Sequence, residues 1–216
     1  MTNLENVAAV VNPDRPLLIV DADEVLLRFV EHLETFFLTE GFELRLTSFQ
    51  LSGNIYELKS NQVAPPQKVK ELIGSFFSNC VDTVPPVNGA ASALENLSEQ
   101  YDIVVLTNVP RACRARREAA LRDMGFNYPV VSNAGEKGPA VKLLQATTLR
   151  HTAFVDDLPP QLASVANHAP GTHLVHFVAD PRLAAMIDKA PDAHVRIDDW
   201  SLLQAHLSQL TNKSRR

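Results

Sequence analysis

At 216 residues, the chain can bury roughly 70% of the surface it exposes when unfolded, enough for one core domain plus an insertion. Its composition is 45% apolar and 21% charged, and 25 acids against 20 bases give a net charge of −5, which argues against a nucleic-acid partner held by bulk electrostatics. Cys80 and Cys113 are the only cysteines, too few for a thiolate metal site or a disulfide framework and suited to a reducing compartment. No apolar run approaches ~18 residues and no basic leader opens the chain, so a cytoplasmic location without a membrane span or membrane partner is expected.

Residues 1–16 read as a short leader that ends in a turn-rich Asn12-Pro13-Asp14-Arg15-Pro16. Residues 17–20, Leu-Leu-Ile-Val, are apolar without alternation, as in a central parallel strand buried on both faces. That strand ends in acid at Asp21 and Asp23. Apolar positions at Leu26, Phe29, Val30, Leu33, Phe36 and Phe37 then predict an amphipathic helix that Gly41 terminates, and Val69, Leu72, Ile73, Phe76 and Phe77 predict another behind Pro65-Pro66. Residues 42–63 show no strong strand. The stretch 27–85 therefore reads as a small, mainly helical insertion, set between core segments 1–26 and 86–216.

After Val84-Pro85-Pro86 a helix at 90–97 leads to a buried strand at 103–106 that runs into Thr107-Asn108. A helix at 110–124, a short strand at 129–131 and a helix beginning after Lys137 follow. A strand at 152–155 ends in Asp156-Asp157, and beyond it come a helix from Pro160, a fifth strand at 172–178, a further helix, a last short strand and a helix at 200–210. Helices alternating with apolar strands imply right-handed crossovers. The expected fold class is α/β, a Rossmann-like three-layer sandwich with a parallel central sheet and the helical insertion beside it.

Four consecutive units thus end in Asp21/Asp23, Thr107/Asn108, Lys137 and Asp156/Asp157. Singly, each has a bland role as a helix cap or a solvated terminus. Together they fall along the carboxyl edge where open α/β sheets place their ligands. Two carboxylates ~4 Å apart repel by roughly 4 kcal/mol at an effective dielectric near 20, so the cluster calls for a shared proton or a cation. Asp198-Asp199 is a decoy, since Asp199 directly precedes an apolar helix as an N-cap. Arg111, Arg114, Arg116 and Arg117 read as a solvated helix face, with Arg111 near enough to Thr107 to reach a bound ligand. His173 and His176 face opposite ways on a strand, and Phe29, Phe49 and Tyr56 read as core of the insertion rather than substrate wall.

The arrangement resembles the haloacid dehalogenase (HAD) superfamily of phosphohydrolases. Asp21-Ala22-Asp23-Glu24-Val25 matches its DxDx(T/V) motif, Thr107 its strand-terminal Thr/Ser, Lys137 its helix-start lysine and Asp156-Asp157 its acidic pair; the insertion resembles the family's cap. Glu24 departs from the glycine many members carry, and no third acid follows Asp156-Asp157. The resemblance implies Asp21 as nucleophile, Asp23 as general acid and base, Thr107, Asn108 and Lys137 as phosphate-binding groups, and Mg²⁺ held by Asp21, Asp23, Asp157 and, more remotely, Asp156. It implies a phosphatase acting on a small phosphorylated substrate such as a sugar phosphate or nucleotide. The alternatives are a phosphomutase, which a cation from the insertion (Arg28, Arg45 or Lys59) would mark, and a non-catalytic phosphate-binding or signalling module.

Overall fold

In the computed structural model, which describes residues 3–213, β1 (Leu17–Val20) occupies the middle of a six-stranded sheet. Its four residues have no solvent exposure, as their unbroken apolar run requires. β4 (Asp102–Thr107) and β6 (Thr152–Asp156) flank it in parallel, so that Val20 lies level with Val105 on one side and Val155 on the other. β5 (Val130–Ser132) extends the sheet beyond β4, and β7 (His173–His176) and β8 (Val195–Arg196) extend it beyond β6, all in parallel. The order β5-β4-β1-β6-β7-β8 makes the chain switch direction across β1, the position where crevices open at the carboxyl edge.

Alternate β1 residues feed two cores. Leu18 and Val20 pack with α4 (Ala90–Ser98), α9 (Trp200–Lys213) and the segment between β1 and α4, whereas Leu17 and Ile19 pack with α1 (Asn3–Ala8), α6 (Gly138–Gln145) and α7 (Pro159–His168). Trp200 is almost fully buried and donates its indole N–H to the Val25 carbonyl at 2.9 Å. α5 (Arg114–Asp123), preceded by a 3-10 turn at Arg111–Cys113, covers β5, and α8 (Pro181–Ala184) follows β7.

Between β1 and α4 lie α2 (Phe29–Thr39) and α3 (Pro66–Cys80), as the periodicity predicts. Residues 42–63 differ from expectation. β2 (Phe42–Leu44) and β3 (Ile55–Glu57) form an antiparallel pair. Three residues are too few to display an alternation, and the pair depends on tertiary contacts: Asn54 donates its side-chain amide to the Ser48 and Gln50 carbonyls and accepts from Thr47, closing the intervening loop. The two connections to the sheet run side by side, with Arg28 N–H donating to the Pro85 carbonyl at 2.9 Å and Leu27 bridged to Pro86. The leader also differs, since it contains α1, whose Val7 packs beneath the sheet. The fifth strand is shorter than expected, because only His173–His176 pairs with β6.

Gly138 opens α6 where it crosses α7. A Cβ there would collide with the Ser164 carbonyl and stand 2.7 Å from His168 Nδ1. Gly138→Ala is expected to destabilise the protein by about 1–3 kcal/mol, lowering the melting temperature by roughly 2–12 °C in calorimetry; an unchanged value would mean that the two helices separate without cost.

Candidate active site

Asp21 continues the β1 ladder, its N–H donating to the Val155 carbonyl at 3.0 Å, and its side chain therefore projects from the carboxyl edge of the sheet. There it meets the acids at the end of β6: one carboxylate oxygen from each of Asp21, Asp156 and Asp157 lies within 4.8 Å of the others, and all three residues are buried. Lys137, buried at the start of α6, places Nζ 2.6 Å from Asp21 Oδ1 and 2.7 Å from Asp156 Oδ2. Burial alone would lower the lysine pKa; Asp156 and Asp21 outweigh it and raise the pKa above the ordinary value. The ammonium is thus fully charged.

The two acids of the pair have different surroundings. Asp156 uses Oδ2 for Lys137 and Oδ1 for the Leu158 N–H at 2.9 Å, and burial, opposed by Lys137, pushes its pKa up to about 6. No described residue donates a hydrogen bond to the Asp157 carboxylate. Burial, then the charges of Asp156 and Asp21, raise its pKa well above that of a free aspartate. Asp157 is therefore the acid with room for a cation, and Asp156 the one that orients Lys137. His176, buried on β7, holds the Asp157 backbone: its Nδ1 accepts from the Ala190 N–H, which leaves Nε2–H to donate to the Asp157 carbonyl at 2.9 Å. His173, three residues earlier, faces His206 instead.

Asp23 has a partner that the sequence does not announce. Arg117 has no exposure at all and sets Nη2 2.9 Å from Asp23 Oδ1, while Asp23 keeps 19% of its side chain open to the crevice. Burial raises the Asp23 pKa, Arg117 opposes this, and Asp21 adds to it; the net effect is a carboxyl that holds its proton more readily than a free aspartate. The reading of Arg117 as part of a solvated face is therefore corrected. Cys113, Arg117 and Leu121 recur at four-residue spacing on the buried face of α5 and its preceding turn, and that spacing was the available signal. Arg116 does face solvent, where it pairs with Asp82 at 2.7 Å. Arg111 is exposed and does not line the crevice.

Glu24 has left-handed backbone geometry, φ 59°, which costs a non-glycine residue about 1–2 kcal/mol. Its hydrogen bonds offset this. Oε1 accepts from the Val30 N–H at 2.7 Å and Oε2 from the Asp180 N–H at 3.0 Å, so one carboxylate caps α2 and tethers the loop after β7. Burial pushes its pKa up to about 7 against those amides. Thr107, fully buried at the end of β4, accepts the Val109 N–H at 3.3 Å. Asn108 donates to the Gly135 carbonyl and accepts from Asn133, joining the loops after β4 and β5. Asp199 caps α9 through the Ser201 and Leu202 N–H groups, as its position predicts, and lies outside the acid cluster.

Asp21, Asp23, Asn108, Lys137 and Asp157 open onto one chamber of about 270 Å³. Phe29 and Phe49 pack against the hydrophobic core, as expected, and also line the chamber; Tyr56 lies elsewhere, beneath Arg45 at 4.3 Å.

No protein-family model matches the chain, and no curated protein matches it. Solved structures do. A HAD family hydrolase from Deinococcus radiodurans R1 with bound phosphate and sodium is 15% identical, with 92% of this chain and 97% of that chain covered at a TM-score of 0.58. A hydrolase of the haloacid dehalogenase-like family from Streptococcus pneumoniae is 10% identical over 90% of this chain and 99% of that one, at 0.61. A haloacid dehalogenase-like hydrolase from Xanthomonas campestris is 17% identical over 95% of this chain and 100% of that one, at 0.53. The chain has the α/β fold of the haloacid dehalogenase-like hydrolases.

Proposed function

We propose that the protein is a Mg²⁺-dependent phosphohydrolase of the HAD superfamily, acting on a small phosphorylated substrate through an aspartyl-phosphate on Asp21. One observation carries this reading: Asp21 lies against Lys137 and within 4.8 Å of Asp156 and Asp157, with a second acid, Asp23, two residues on. As the Asp21 oxygen bonds to phosphorus, the ester P–O bond breaks and the leaving oxygen takes the Asp23 proton. Water then attacks the aspartyl-phosphate and gives its proton to Asp23, releasing inorganic phosphate and free Asp21. The Lys137 ammonium and Asn108 amide, which line the chamber, are the groups we assign to the non-bridging oxygens, together with the Thr107 hydroxyl, which is fully buried and does not line it. Lys137 is already fixed by two ion pairs and need not reorganise.

Once ionised, three buried carboxylates against one lysine carry two negative charges that it does not compensate, and this set of hard oxygen donors fits Mg²⁺. Asp21, Asp157 and the Asp23 backbone carbonyl would hold the ion, with Asp156 engaged by Lys137. Bound there, it supplies the positive charge that lets a phosphate of about −1.5 to −2 approach the acids. The adjacent crossings at Leu27 and Pro86 support reading 27–85 as a cap over core segments 1–26 and 86–216. Hydrolysis is favoured over phosphoryl transfer because Arg28 pairs with Glu31 and Arg45 with Glu43, and neither they nor Lys59 line the chamber. The free thiols at Cys80 and Cys113 support a cytoplasmic location.

Asp21→Asn is expected to cut p-nitrophenyl phosphate hydrolysis by about 10⁴-fold or more with an unchanged circular dichroism spectrum; parental turnover would overturn the reading. Mg²⁺ should raise the melting temperature of the parent protein. Asp157→Asn, which relieves like-charge crowding, should melt higher than the parent without cations and respond far less to Mg²⁺, while Asp156→Ala should retain more of the Mg²⁺ response than Asp157→Ala. The reverse order in calorimetry would exchange the two assignments. Asp23→Asn should lose roughly 10²–10⁴-fold on an alkyl phosphate yet give a burst of nitrophenol followed by a slow phase. Equal loss of burst and steady-state rates would remove the acid–base role.

A further inference from the structure

Away from the acids the chamber changes character. Phe29 at the start of α2, Phe49 and Leu51 from the β2–β3 loop, Phe77 from α3 and Leu183 from α8 form its outer wall. Phe29 stacks on Phe77 with ring centres 5.8 Å apart and meets Phe76 edge-on at 5.3 Å, so this wall is a packed aromatic surface rather than a set of loose side chains.

The polar side chains that share the chamber are already committed. Both Glu24 oxygens accept backbone amides, while Asn108, which bridges Gly135 and Asn133, and Lys137, between Asp21 and Asp156, are taken by the phosphate oxygens in the reading above. Asp21, Asp23 and Asp157 belong to the phosphoryl chemistry. Nothing polar remains among the lining side chains for the rest of the substrate.

We infer that the chamber selects phosphate monoesters whose organic group is a hydrocarbon, an alkyl chain or an aromatic ring, over sugar phosphates and nucleotides. This rests on the phosphohydrolase reading above and names its substrate class. A hydrocarbon leaving group gains about fourfold in binding for each methylene taken from water. A sugar hydroxyl entering the same space gives up its water without a replacement partner, a penalty of about tenfold each. The reaction balances as any ester hydrolysis does: the phosphate ester and water yield the free alcohol, which carries the Asp23 proton, and inorganic phosphate.

The test measures kcat/KM with Mg²⁺ for methyl, propyl, butyl and hexyl phosphate and for glucose 6-phosphate. Hexyl phosphate and glucose 6-phosphate both leave as primary alkoxides, so their difference reports the chamber and not the chemistry. Expected is a rise of about fourfold per methylene, hexyl phosphate exceeding glucose 6-phosphate by about 100-fold or more, and a hexyl-to-methyl ratio at least about tenfold lower in Phe49→Asn. A flat series, or glucose 6-phosphate turned over as well as hexyl phosphate, overturns the inference. If no ester is hydrolysed, the phosphohydrolase reading fails, and calorimetric binding with Mg²⁺ then decides the chamber. Hexylphosphonate binding at least about tenfold tighter than methylphosphonate, with the difference lost in Phe49→Asn, sustains an apolar ligand site; equal affinities overturn it.

Discussion

A single buried ammonium makes this arrangement of acids compatible with folding. Lys137 reaches from α6 to Asp21 on β1 and Asp156 on β6, at 2.6 and 2.7 Å, in a place closed to solvent. Without it three carboxylates would face one another at separations where each pair repels by roughly 4 kcal/mol. Removing one partner of a buried ion pair costs about 3–5 kcal/mol, because the other is left uncompensated. The close approach of α6 to α7 at Gly138 sets the lysine at that depth, so helix packing and site electrostatics are one constraint.

Around this pair the acids are held unequally. Asp156 spends both oxygens on the protein, Asp157 neither among the described residues, and Asp23 has Arg117 below and open space above. His176 secures Asp157 by its carbonyl and leaves the carboxylate free. Such supports orient a charge without neutralising it.

The segment above the acids is tied to the sheet by contacts of a different kind. Arg182 on α8 grips Glu34 of α2 at 2.7 Å, and Arg116 of α5 grips Asp82 after α3 at the same distance. These side chains are partly exposed, and such pairs are worth at most about 1 kcal/mol each. Glu24 is the firmer link, because its buried carboxylate bonds the first turn of α2 and the loop after β7 together. A residue that opposes the backbone preference at φ 59° is thus retained by what its side chain joins.

Local pattern sufficed for the sheet and for the acids. Unbroken apolar runs at 17–20, 103–106 and 152–155 announce strands buried on both faces, and the polar residues that end them mark the edge where Asp21, Thr107 and Asp156 gather. The same pattern carried Lys137, because its position just ahead of a helix is a matter of neighbouring residues. It did not reach β2 and β3, which are three residues long and depend on Asn54 to close their loop. It did not separate Phe29 and Phe49 as chamber wall from Tyr56 outside it, since an aromatic at helical or loop spacing reads the same in either place. Above all it missed Arg117 and His176. Periodicity records which face of an element is buried, but the partner of a buried charge or imidazole comes from another element, and only the tertiary fold brings Arg117 of α5 to Asp23 and His176 of β7 to Asp157.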